Sequence, residues 1–219
     1  MKQDLLKFKL ACESLGIKVS SQQLDRFITY QKELSRWNKK INLISRKSDS
    51  PDHIYRHILD SLLILKAVKI PSEAKLLDFG SGAGFPGIPI RIARADVSVT
   101  LLESKKKKSI FLEEMLKTLN LKKAEVVRGR AEDLTGSFEF SRRYDVVTAK
   151  AVGKLVDVTS LALPFLKTGG LLVAYKGKYS KEETDEFSTQ EKFQVHEVAS
   201  FEISEYSLTR SLVVIKRMQ

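Results

Sequence analysis

Between Leu76 and Gly87 the chain reads LLDFGSGAGFPG: an apolar run ends in Asp78, and a turn holding Gly80, Ser81, Gly82, Gly84, Phe85 and Gly87 follows. Gly82, Gly84 and Gly87 satisfy G-x-G-x-x-G, the fingerprint of dinucleotide sites, and Glu103 follows at about the distance of an acid that binds ribose hydroxyls. A Walker phosphate loop fares worse, because Ile88 stands where its lysine must be. Charge separates the remaining ligands. A dinucleotide sets its pyrophosphate against such a loop and the helix that follows, where Asp78 would repel it. S-adenosylmethionine has no phosphate and brings a sulfonium and an ammonium group, so Asp78 becomes an attraction and Glu103 takes the two ribose hydroxyls. The plain alternative is that Asp78 caps a turn and Glu103 is solvated.

Such acids must be set side by side at strand ends, and the rest of the chain supplies the strands. After Pro71 the runs KLLDF, VSVTLLES, AEVVRG, YDVVTAK, GLLVAYK and RSLVVIK have strand length, and helix-like stretches such as KKSIFLEEMLKTLN lie between the first five. This alternation predicts an α/β fold with a mostly parallel sheet covered on both faces, binding its ligand at the carboxyl ends of the strands. PFLKTGG reads as a turn feeding the fifth strand. Before residue 70 the period is helical. Ser20 and Gln23 form a capping signature ahead of Leu24, Phe27, Ile28, Leu34, Trp37 and Ile41. Ser50 and Pro51 then open a helix with Ile54, Ile58, Leu62 and Leu65 as its buried stripe. The expected organisation is a helical cap over residues 1–70 and a ligand-binding domain over 71–219.

Composition narrows the partners. In 219 residues Lys and Arg outnumber Asp and Glu to give a net charge of +11, which suits a polyanion such as nucleic acid, although a basic surface also aids solubility. A single cysteine, Cys12, excludes an intramolecular disulfide and a Cys-rich zinc site, and points to a reducing cytoplasm. The charges of MKQDLLKFKLACESLG interrupt any signal-peptide core, and no apolar run is long enough to cross a bilayer.

The segments RWNKKINLISR, RHILDSL, LLDFGSGAGFPGIPI, GRAEDL, AKAVGKL and LVVIKR, in this order and at these distances, resemble the glucose-inhibited division protein B family, bacterial small-subunit (16S) ribosomal RNA guanine-N7 methyltransferases. The likeness covers nearly the whole chain. It implies a Rossmann-like class I methyltransferase sheet with an antiparallel last strand behind an N-terminal helical cap. It also implies S-adenosylmethionine as cofactor, held by Gly80, Phe85, the pair Ala131 and Glu132 behind Arg130, and a basic residue at the end of the fourth strand. The family has arginine there and this chain has Lys150, which keeps the charge without the planar fork. Arg130, Lys150 and Arg210 are the expected substrate contacts. The implied partner is 16S ribosomal RNA or a 30S particle, with a monomeric protein expected.

The implied chemistry asks little of side chains. Guanine N7 carries a lone pair and no proton, so no general base is expected and positioning dominates. The product base is cationic; no feature of the sequence says which group balances it, and Asp78 and Glu132 are the candidates. Lys105 to Lys108, at a helix start, read as a solvated face or as phosphate ligands, and Lys39, Lys40, Arg46 and Lys47 extend a basic track. His53, His57 and Asp60 mimic a metal face, but packing or hydrogen bonding near the domain junction is the expected role, with His57 at the cofactor mouth. Tyr30 and Trp37 read as core. A non-catalytic RNA-binding or ribosome-assembly protein and a nicotinamide-dependent oxidoreductase stay open as alternatives; the first rests on Lys150, and Asp78 argues against the second.

Overall fold

The computed structural model describes residues 2–150, 153–177, 179–185 and 192–219; Ala151 and Val152 of the AKAVGKL segment lie outside them. Four helices come first: α1 (Lys2–Ser14), α2 (Ser21–Asn38), α3 (Pro51–Leu62) and α4 (Ile64–Ala67). The capping signature forms as the sequence predicts, with the Gln23 N–H donating to Ser20 Oγ and the Ser20 N–H to Gln23 Oε1. The stretch through Leu65 reads as one helix but turns at Leu63, so α3 and α4 are separate pieces.

Strands and helices then alternate: β1 (Lys75–Phe79), α5 (Gly87–Ala93), β2 (Ser98–Glu103), α6 (Lys106–Thr118), β3 (Ala124–Arg128), α7 (Ala131–Leu134), β4 (Tyr144–Lys150), α8 (Leu155–Ala162), β5 (Leu166–Lys176), α9 (Glu182–Asp185), β6 (Phe193–Ile203) and β7 (Leu208–Arg217). The sheet order is β3-β2-β1-β4-β5-β7-β6. β1 to β5 are parallel neighbours, while β7 runs antiparallel between β5 and β6. The expected antiparallel last strand is therefore present.

Two expectations need correction. The sequence reading has six strands and passes over β6, whose FQVHEVASFEI buries only its two ends and is shifted in register between Val195 and Glu197. It is an edge strand, and the charges and bulge that keep such an edge from pairing further also erase its alternation. PFLKTGG is not a simple turn. Leu166 already pairs with Tyr144, and the ladder then jumps to Leu171 opposite Val146, so KTGG stands out from the sheet as a bulge.

Alternate strand residues feed opposite faces. Leu76, Val99, Leu101, Val146 and Leu212 pack with the side chains of α1, α2, α3, α5 and α6, while Leu77, Leu102, Val147 and Val213 pack with α8. Buried side chains on both sides of residue 70 thus belong to one cluster. The helical cap covers one face of the sheet and reaches its ligand-binding edge.

Candidate active site

The loop after β1 is tied to its neighbours mainly through backbone N–H groups. Ser81 N–H donates to the Leu102 carbonyl at 3.0 Å, and Ser81 Oγ to the Asp78 carbonyl at 3.0 Å. Glu103, at the end of β2, accepts from Gly82 N–H at 2.9 Å on one oxygen and from Lys105 N–H at 2.7 Å on the other. Each oxygen keeps a further lone pair for a ligand hydroxyl. Gly129 N–H to the Glu103 carbonyl, 3.2 Å, brings the end of β3 alongside, so Ala131, half-buried, and Glu132 and Arg130, exposed, follow directly at the same edge.

Asp78 lies under this loop. It is 0% exposed, with one oxygen accepting from Gly87 N–H at 3.1 Å and the other from Thr148 Oγ1 at 2.9 Å. Burial pushes its carboxyl up to about 6; the bonds from Thr148, Gly87 and Ser81 and the Lys150 charge oppose the rise. The sequence reading sets Asp78 against the ligand, whereas the structure makes it the buried support of the loop, from which its charge acts through the Gly87 backbone. Gly87 has no alternative residue: a Cβ there would meet Leu101 Cδ2 and come within 2.8 Å of Asp78 Oδ2.

A different set of groups forms the wall beside the loop. Phe85, 9% exposed, is flanked by the His57 ring at 5.3 Å, the Tyr30 ring edge-on at 5.5 Å and the Lys150 Nζ at 5.2 Å. The buried Tyr30 hydroxyl donates to the Ala83 carbonyl at 2.5 Å, so a core residue of α2 props the loop. Gly84 is required here, since its φ is +92° and a Cβ would lie 2.5 Å from Ile88 Cδ1 and 3.0 Å from the Tyr30 oxygen.

Lys150 and Arg210 meet on one acid. Lys150 Nζ is 2.8 Å from one oxygen of Asp60, and Arg210 Nε donates to the other at 2.7 Å. Asp60 is 1% exposed at the inner face of α3; burial pushes its carboxyl up, but the Lys150 and Arg210 charges outweigh it and hold it below its usual range. Burial pulls the Lys150 ammonium down, with Asp60 opposing. With one anion between two cations, the acid stays ionised and the lysine is the group that burial destabilises. His57 is lowered to about 4, by burial first and by Lys150 second, and is neutral at physiological pH.

The structure thus gathers Gly80, Ser81, Gly82, Gly84, Phe85, Glu103, Lys150 and Arg210 at one edge of the sheet over Asp78, with Arg130, Ala131 and Glu132 following β3. Lys105, Lys106 and Lys107 are exposed beside Glu103, and the Lys108 Nζ leans over Gly82, 3.9 Å from where its Cβ would be. The imitation of a metal face dissolves, because His53 Nδ1 bonds Ser50 Oγ at 2.7 Å while Asp60 is engaged by cations. Among the described residues no group of three His, Cys, Asp or Glu is set to hold a metal ion. Three participants escaped the sequence reading: Asp60 as an ion-pair acid, Thr148 on Asp78, and the Tyr30 hydroxyl on the loop. Thr148 had a signal, since β4 beside β1 puts it opposite Asp78.

The residues fit a cationic cofactor and not a pyrophosphate. The first N–H of α5 is already donated to the buried Asp78 carboxylate, which a phosphate at this loop would face. Solved structures agree on the fold. M. jannaschii TYW2 in complex with AdoMet superposes with a TM-score of 0.57 at 16% identity, covering 82% of this chain and 78% of that one. Precorrin-6y C5,15-methyltransferase from Geobacter metallireducens gives 0.56 at 15% identity, covering 82% and 92%. Sequence relatives are nearer. The chain is 35% identical to the ribosomal RNA small subunit methyltransferase G of Clostridium tetani over 212 residues, 95% of this chain and 88% of that protein. It is 34% identical to the Clostridium botulinum protein of the same name, with the same coverage. The family model for GidB, rRNA small subunit methyltransferase G, matches residues 23–213. A loop that disfavours phosphate, a basic wall and these matches lead to one assignment: the chain belongs to the GidB family of rRNA small subunit methyltransferases.

Proposed function

We propose that the protein transfers a methyl group from S-adenosylmethionine to N7 of one guanine in 16S ribosomal RNA, as free RNA or within a 30S particle, in the cytoplasm. The observation that carries this reading is the match to rRNA small subunit methyltransferase G over residues 23–213, on a chain whose Glu103 offers unused lone pairs beside the loop. S-adenosylmethionine bound here supplies a methyl group on a cationic sulfur. Glu103 would hold the ribose hydroxyls, Gly80 and Phe85 the methionine side, and Ala131 and Glu132 the adenine.

The protein's own work is orientation and charge. Phe85, backed by Tyr30 and His57, gives a rigid apolar surface beside Lys150 and keeps water from that side. Lys150 and Arg210, with Arg130 and the Lys105 to Lys108 run around the rim, meet RNA phosphates and bring the base in line. A neutral His57 and an N7 lone pair leave no proton to move, so no residue is assigned as a general base.

The test uses methyl-labelled S-adenosylmethionine, the purified protein, and 16S RNA or 30S particles from cells lacking the modification, followed by chemical cleavage at 7-methylguanine. Label confined to one guanine is expected. Cofactor binding without transfer to either RNA form would overturn the reading.

A further inference from the structure

Two cations at the mouth of a site that must take a cationic cofactor and release a cationic base pose a charge problem. Phe79 pairs with Ala149, so Lys150 stands beside Gly80, the first glycine of the loop, with its ammonium 5.2 Å from the Phe85 ring. Arg210 comes from the far side, on β7. Among the described residues Asp60 is the one acid that touches both, and it reaches them from α3, in the helical cap. Of the acids named as candidates to balance the product, Glu132 is exposed on α7, and both Asp78 oxygens are engaged under the loop.

Resting on the function proposed above, we infer that Asp60 is a positioning residue that sets the charge of the site: it pins Lys150 and Arg210 together and cancels one of their two charges. The mouth then keeps one net positive charge, enough to draw a phosphate and less repulsive to a sulfonium. The helical cap is on this view a part of the active site and not only a cover for the sheet.

The sulfonium gives a readout that a packing role would not move. S-adenosylhomocysteine has the same shape without the methyl group and without the charge on sulfur. Equilibrium titration of the full chain, with no RNA present, should show Asp60→Asn weakening S-adenosylmethionine by about tenfold more than S-adenosylhomocysteine, as expected for one uncancelled charge within several ångströms. Asp60→Glu, which keeps the carboxylate, should restore most of the preference. Equal weakening of both ligands, or of neither, would overturn the inference. Should Asp60→Asn fail to fold, Lys150→Met decides, because removing a cation while Asp60 remains should widen the preference for S-adenosylmethionine; an unchanged or narrowed preference overturns the inference. Since RNA takes no part, absence of 7-methylguanine in the transfer assay would strike the reading of function while leaving this result intact.

Discussion

The floor and the wall of the site are built on different principles. In the floor, Asp78 and Glu103 sit at the ends of adjacent strands and are held mainly by the backbone N–H groups of Gly87, Gly82 and Lys105, over sequence separations of 9, 21 and 2 residues, with one side-chain bond from Thr148 to Asp78. In the wall, Lys150 and Arg210 are held by a side chain 90 and 150 residues away, through ion pairs across the junction of cap and sheet. A backbone-held acid survives most substitutions around it. A site held by a shared carboxylate depends on that one group, and so the cap and the sheet become one functional unit.

The comparison predicts its own order of fragility. Asp60→Ala should cost the most, about 3 kcal/mol of unfolding free energy, because it leaves two mostly buried cations unpaired. Urea unfolding measures it, and a loss below about 1 kcal/mol would show that the wall does not depend on Asp60. Gly87→Ala should cost about 2 kcal/mol by overpacking against Asp78 and Leu101, and should abolish cofactor binding in a titration. Retained binding would mean that the floor yields more than its geometry suggests.

Asp78 gives the floor a pH signature. Its pKa in the fold, about 6, lies above the value of 3.8 for a free side chain, so the native state binds this proton first. Its contribution to stability is fully present below the unfolded value and is lost as pH rises through about 6. Relative to Asp78→Asn, the wild type should therefore gain about 2 kcal/mol as pH falls from about 7 to about 4, seen in paired denaturation curves. A constant difference between the two would refute the buried-acid account. The smallest effect is expected for Tyr30→Phe, about 1 kcal/mol for the bond to Ala83, with weaker cofactor binding and an unaltered preference between the charged and neutral ligands. A shift in that preference would mean that the loop, and not the wall, sets the charge.

This contrast also explains what the sequence discloses. Asp78, the glycines and Glu103 are legible because strand ends and a short turn bring them together within one unit of chain. The capping of α2 and α3 is legible for the same reason. Asp60 reads as one member of a face shared with His53 and His57, with packing or hydrogen bonding near the junction as its role, but nothing local says that the end of β4 at Lys150 and the start of β7 at Leu208 will reach it. Tyr30 is legible as core but not as a prop, because its hydroxyl partner is a backbone carbonyl 53 residues away. β6 is lost because an exposed edge strand has no buried face to imprint a period of two.

The central claim is that the floor chooses its ligand by charge, despite a glycine pattern that also fits a dinucleotide. Its most direct test is parallel equilibrium titration of the purified chain with S-adenosylmethionine and with NAD. Saturable one-to-one binding of S-adenosylmethionine and none of NAD is predicted. NAD binding as tight or tighter would contradict the account.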